Sequence, residues 1–147
     1  MNIRTSARPA TGWEHFQHVA DVGVRGFGAS VAEAFEQAAL ALTAVVTDPA
    51  DVQLKQSVAI QCEAPDLEIL LVDWLNAVVF EMATQHMLFG RFEVTIDGPV
   101  LTGCARGEKI EVLRHQPAAE VKGATVSELE VTRAPDGHWF AQCIVDV

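Results

Sequence analysis

Apolar residues recur along this chain in two rhythms, and the switches between them mark the elements. Leu67, Leu70, Leu71, Trp74, Leu75, Val78 and Met82 keep a three-and-four spacing over about four turns, which predicts an amphipathic helix opening at Pro65 or Asp66. Phe35, Ala38, Ala39, Leu42 and Val46 keep the same spacing. Ahead of them, Ser30-Val31-Ala32-Glu33 is a capping-box pattern, in which the Ser hydroxyl accepts a free helical N–H and Glu33 reaches back to the cap; Asp48-Pro49 stops this helix.

The second rhythm is alternation. Val52, Leu54, Val58, Ile60 and Cys62 fall on one side of an extended run, with Lys55, Ser57, Gln61 and Glu63 on the other, as in a half-exposed strand. Trp13 to His18 and Val22 to Phe27 read as short strands, the second loosened by Gly23, Gly26 and Gly28. Leu88 to Ile96 and Val100 to Ala105 flank Asp97-Gly98, a hairpin signal that Pro99 weakens in its two-residue form. Ala124 to Arg133 and His138 to Val147 meet at Ala134-Pro135-Asp136-Gly137. The expected fold is α+β in two layers: a largely antiparallel sheet with two main helices packed on one face.

With 147 residues, half of them hydrophobic, the chain is long enough for the core of one domain, and no linker interrupts it. That domain is expected over 13–147, after a flexible tail over 1–12. The charge narrows the function: 20 Asp and Glu against 10 Lys and Arg leave a formal net charge of −10. A protein that grips a nucleic-acid backbone needs clustered cations, so direct binding of nucleic acid is not expected. No window approaches the roughly 20 apolar residues of a membrane span. Cys62, Cys104 and Cys143 are widely spaced in apolar or alternating stretches, which suggests buried reduced thiols and a cytoplasmic protein.

Familiar catalytic signatures are absent from the sequence: it has no GxSxG, Gly-rich phosphate loop or HExxH. Gly26-Phe27-Gly28 is too short for a phosphate cradle. His15 and His18, three apart on a strand, point to opposite faces and are not expected to share a metal. Asp21 sits among apolar residues where one strand signal gives way to the next, and Asp146 closes the hydrophobic run Ile144-Val145-Asp146-Val147. Carboxylates so placed must be hydrogen-bonded, paired or metal-bound, and spacing alone does not join the two.

The stretch His18-Val19-Ala20-Asp21-Val22-Gly23-Val24-Arg25-Gly26-Phe27-Gly28 resembles the N-terminal signature of the archease family. Ala34 to Leu42 and Leu70 to Phe80, the latter with Leu75-Asn76, are similar to the family's two helices. Glu120-Val121-Lys122-Gly123-Ala124-Thr125 resembles its Glu-Val-Lys element, and Ile144-Val145-Asp146-Val147 its closing strand. In order, these cover about residues 13 to 147. The sequence departs from the family pattern at Val126-Ser127, where an aromatic residue and often a histidine stand, and at Ala77-Val78, in place of Glu-Leu.

The resemblance implies a non-enzymatic partner of an RtcB-type RNA ligase, promoting its guanylylation and multiple turnover in tRNA splicing or RNA repair. It implies a divalent-metal site at Asp21 and Asp146, to which the Val147 carboxylate could add; such hard oxygen ligands suit Ca²⁺, Mg²⁺ or Mn²⁺. It assigns partner activation to Arg114, where the family usually has lysine, to Glu120 and, by position, to Lys122. GTP would be used by the ligase and not held by this chain. Two other readings of the residues are a small metal-dependent hydrolase using the same aspartates, and a general chaperone or scaffold.

Overall fold

The computed structural model describes residues 10–18 and 21–147, without the His18 side chain; residues 1–9 of the expected tail, and Val19-Ala20 of the first signature, lie outside the described residues. Strand β1 (Gly12–His18) pairs antiparallel with β2 (Asp21–Gly28). Helix α1 (Val31–Val46) follows, then a 3-10 turn (Pro49–Asp51), β3 (Gln56–Glu63) and helix α2 (Leu67–Gln85). The hairpin β4 (Met87–Asp97) and β5 (Val100–Lys109) leads to a one-turn helix α3 (Val112–His115), then β6 (Gly123–Ala124), β7 (Glu130–Arg133) and β8 (Trp139–Asp146).

The class is α+β with two main helices. The strands, however, divide between two antiparallel sheets: β1-β2-β8-β6, with β7 also on β8, and β3-β5-β4. They stay separate because α1 lies between them, packed on β2 and on β4. Its side chains occupy the edge of β4: the Glu36 carboxylate accepts the Val94 N–H at 2.8 Å, and the Thr43 hydroxyl donates to the Phe89 carbonyl at 2.8 Å. An edge strand whose polar groups are engaged cannot recruit another strand.

Both helices bury the stripe that the spacing marks: Phe35, Ala38, Ala39, Leu42 and Val46 in α1, and Leu70, Leu71, Trp74, Leu75 and Val78 in α2. Trp74 joins them, since its fully buried indole N–H donates to the Phe35 carbonyl at 3.0 Å. The Ser30 hydroxyl caps α1 by accepting the Glu33 N–H, but Glu33 reaches one residue past the cap, to the Ala29 N–H at 2.8 Å. Asp66 is the cap of α2.

Three local expectations change. Asp97 pairs with Val100, so the hairpin loop is the two residues Gly98-Pro99 after all. Gly98 has φ +59°, and a positive φ followed by proline's fixed negative one is the pattern of a type II′ turn. The strand expected over Ala124 to Arg133 breaks into β6 and β7, because the chain turns out at Thr125 to Leu129, with Glu128 at φ 55°. Finally, Gly26 does not loosen β2. It lets α1 close onto it: a Cβ there would stand 2.2 Å from the Ala34 carbonyl oxygen and from the Ala38 nitrogen.

Candidate functional site

The two aspartates that spacing leaves unconnected stand at the ends of neighbouring strands. β2 starts at Asp21 and β8 ends at Asp146, and the two strands pair antiparallel with Val22 opposite Val145. The ladder ends at that pair, so Asp21 and Asp146 stand one residue beyond it, at the adjoining ends of the two strands. Like charges that meet across neighbouring strands repel. Asp21 is half-buried; Asp146 is exposed, as is Val147 beyond it.

β6 flanks Asp146 on the other side. Gly123 pairs with Asp146, and the Lys122 N–H donates to the Asp146 carbonyl at 2.8 Å. Lys122 and Glu120 are both exposed, on the segment that runs into β6. One end of the five-stranded sheet thus collects Asp21, Asp146, Val147 and Lys122, with Glu120 two residues before Lys122. Their chemistry is that of hard oxygen donors beside a cation. Among the described residues no group of three or more His, Cys, Asp or Glu side chains is gathered that could hold a metal ion. Carboxylate oxygens at that end are donors of the kind a hard divalent cation takes, and not those of a closed zinc site.

Arg114 belongs to a different cluster. Its guanidinium meets Glu108 Oε1 at 2.6 Å, Glu111 Oε2 at 2.5 Å and the Asp51 carbonyl at 2.9 Å. Among the described residues no hydrogen bond or ion pair links it to Asp21 or Asp146. Glu108, only 3% exposed, is the hub: it also accepts the Gln53 N–H at 2.7 Å and faces His115 Nε2 at 3.0 Å. Because His115 Nδ1 accepts the Glu111 N–H, the ring proton sits on Nε2, aimed at Glu108. Sequence reading missed this hub; two consecutive buried positions, Gly107 and Glu108, break the alternation of β5 there.

The Arg114 guanidinium holds the Glu108 carboxyl at about 2, well below its ordinary 4.5, with the Gln53 and His115 hydrogen bonds adding to the effect against the cost of burial. A carboxyl held below its unfolded value stabilises the fold above that unfolded value and stops doing so as pH falls through the folded one. Urea unfolding followed from neutral pH down to about 2 should therefore show an acid-labile increment in the wild type that Glu108→Gln lacks. An unchanged acid limb in Glu108→Gln would assign that lability to other carboxylates.

Elsewhere, a groove of about 940 Å³ runs along α1 and the outer side of the three-stranded sheet, past Glu36, Arg91, Glu93 and Cys104. None of the expected site residues lines it. Burial pushes the Glu36 carboxyl up, and the Val94 N–H opposes that shift. His15 hydrogen-bonds the Ala41 carbonyl through Nε2 at 2.8 Å, a link between β1 and α1.

The family model described as "Archease protein family (MTH1598/TM1083)" matches residues 13–147. Protein archease of Pyrococcus furiosus is 40% identical over 139 residues, covering 92% of this chain and 98% of its own length. That of Sulfolobus acidocaldarius is 37% identical, covering 93% and 99%. Among solved structures, the solution structure of Methanobacterium thermoautotrophicum protein 1598 superposes with a TM-score of 0.81 at 36% identity, covering 92% and 99%. A crystal structure from Thermotoga maritima, titled an archease and possible chaperone, shares the fold at a TM-score of 0.55 and 17% identity, covering 91% and 96%. The Pyrococcus and Sulfolobus relatives are named protein archease, and the Thermotoga protein an archease and possible chaperone.

Proposed function

Because this chain belongs to the archease family, we propose that it promotes the guanylylation and multiple turnover of an RtcB-type RNA ligase in the cytoplasm, in tRNA splicing or RNA repair. What supports this reading, beside the family, is that Asp21 and Asp146 stand at the adjoining ends of β2 and β8, one residue beyond the last pair of that ladder. Two carboxylates that meet there are stabilised by a cation. A divalent ion there would supply positive charge that both an acidic protein and the ligase's active site can share.

In this reading Asp21, Asp146 and the main-chain oxygens of Val147 hold Ca²⁺, Mg²⁺ or Mn²⁺, leaving positions for ligands from the ligase. Lys122 and Glu120 stand at the rim and face the partner. Arg114 contributes from a distance, by holding through Glu108 and Glu111 the segment that leads to Glu120. The net charge of −10 keeps this chain off the RNA, which the ligase holds along with GTP.

The test is a multiple-turnover ligation with the cognate ligase, GTP and a divalent metal, with and without this chain. Product beyond one equivalent of ligase should accumulate faster when the chain is present. Equal rates would remove the reading. A chaperone function is the second reading, favoured by the exposure of Leu113 (93%), Val112 (68%), Val126 (68%) and Phe80 (62%). Suppressed aggregation of unrelated clients, with ligation unaffected, would select it instead. Phosphatase or nuclease activity of the purified chain alone would select a hydrolase.

A further inference from the structure

Two-residue strands are rarely held by their own ladder. β6 pairs with β8 on one side only, Gly123 opposite Asp146 and Ala124 opposite Val145, and just outside it the Lys122 N–H donates to the Asp146 carbonyl at 2.8 Å and the Thr125 N–H to the Ile144 carbonyl at 2.9 Å. Successive residues of such an edge alternate, one bonding its partner strand and the next turning its N–H and C=O outward. Ala124 is turned outward, and what it meets is the side chain of Asn76 on α2. Asn76 Oδ1 accepts the Ala124 N–H at 2.8 Å, and Asn76 Nδ2 donates, more weakly, to the Ala124 carbonyl at 3.5 Å.

A carboxamide carries the same donor and acceptor as a peptide group. Bonding both polar groups of one residue is what a neighbouring strand does across a hydrogen-bonded pair. A glycine beside it eases the approach: a Cβ on Gly123 would lie 3.1 Å from Asn76 Oδ1, tighter than ordinary contact, and the carboxamide would have to shift by a few tenths of an ångström. Asn76 itself is exposed, so apolar packing does not account for its place.

We propose that Asn76 is a positioning residue: its side chain stands in for a missing strand, fixes Lys122–Ala124 against Asp146, and so sets where Lys122 and Glu120 stand beside the Asp21–Asp146 pair. The functional half of this inference rests on the ligase-partner reading; the structural half does not. The shape of the rim, and not only its charge, is thereby set by a residue of α2 that bears no charge.

The test compares the wild type, Asn76→Ala, Gly123→Ala and the double variant, each as the full chain. Amide exchange by NMR reads Lys122, Gly123 and Ala124; thermal unfolding reads the whole fold; ligation titrated with the chain reads function. In Asn76→Ala the Ala124 amide should exchange about tenfold faster, while the melting point stays within about 3 °C. The amount of chain needed for half-maximal stimulation of the ligase should rise about tenfold. Gly123→Ala should show a smaller effect that vanishes in the Asn76→Ala background, since it acts by displacing that side chain.

Unchanged exchange at Ala124 in Asn76→Ala overturns the proposal. Faster exchange with wild-type stimulation at every concentration overturns the positioning role. Should Asn76→Ala not fold, Asn76→Leu, which is close in size and offers neither donor nor acceptor, gives the same readings. If the wild-type chain itself fails to stimulate the ligase, the ligase-partner reading is what falls. The strand-substitute role is then decided by whether Lys122 and Gly123 loosen together with Ala124.

Discussion

An Asp146→Asn chain should be at least as stable as the wild type without metal, and yet lose about tenfold or more of its stimulation of the ligase. The two halves of this expectation have opposite signs and one cause. In the proposed site Asp21 and Asp146 meet one residue beyond the last pair of the β2–β8 ladder, and neutralising one would remove a like-charge repulsion of roughly 0.2–1 kcal/mol. The same change removes half of the carboxylate donor set. Thermal unfolding with and without Ca²⁺, Mg²⁺ or Mn²⁺ separates them. A cation that binds the folded state raises the wild-type midpoint in proportion to its concentration over its dissociation constant, and should leave that of Asp146→Asn flat. A folded Asp146→Asn or Asp146→Ala chain that supports turnover as well as wild type would end the metal role.

Gly26→Ala should cost roughly 3 kcal/mol, a large share of the stability of a domain of this size. The added methyl has nowhere to go, because what it meets is backbone: the Ala34 carbonyl oxygen and the Ala38 nitrogen, each 2.2 Å away. Side chains can rotate away from a new methyl; a helix must shift bodily. Moving α1 off β2 would also disturb its contact with β4 and the Trp74 hydrogen bond to Phe35. The loss should appear as a lower urea midpoint with unchanged slope. A midpoint equal to wild type would mean that α1 can slide over β2 without penalty.

How much of this was legible beforehand differs by element. Both helices could be read to within a few residues, because the buried stripes of Phe35 to Val46 and Leu70 to Val78 are dictated by one packed face each. The half-buried strand β3 was readable for the same reason: Val58, Ile60 and Cys62 turn inward and Ser57, Gln61 and Glu63 outward. What could not be read is pairing between distant segments. Nothing local in Val22 or Val145 says that they face each other, so that Asp21 and Asp146 end neighbouring strands is visible only once β8 lies beside β2. The division into two sheets was hidden too, since it depends on Glu36 and Thr43 of α1 engaging the backbone of β4. Arg114 could be matched to a family position, but its bonding to Glu108 and Glu111 could not be foreseen from an alternation that predicts Glu108 to face solvent.

The order in which the strands are made differs from the order in which they pair. The three-stranded sheet draws all its strands from 56–109 and can close as soon as that stretch has left the ribosome. The five-stranded sheet cannot: β2 keeps one edge open until β8 arrives, and the side-chain bond from Arg25 to Gln142 spans 117 residues. Pairing over such a separation is slow relative to local hairpin closure. During synthesis, then, β1 and β2 wait with a bare edge while the later sheet assembles. A pulse of protease or of deuterium applied to the growing or refolding chain should find β4 and β5 protected before β2, and the acidic end of the molecule should be the last part to acquire its form.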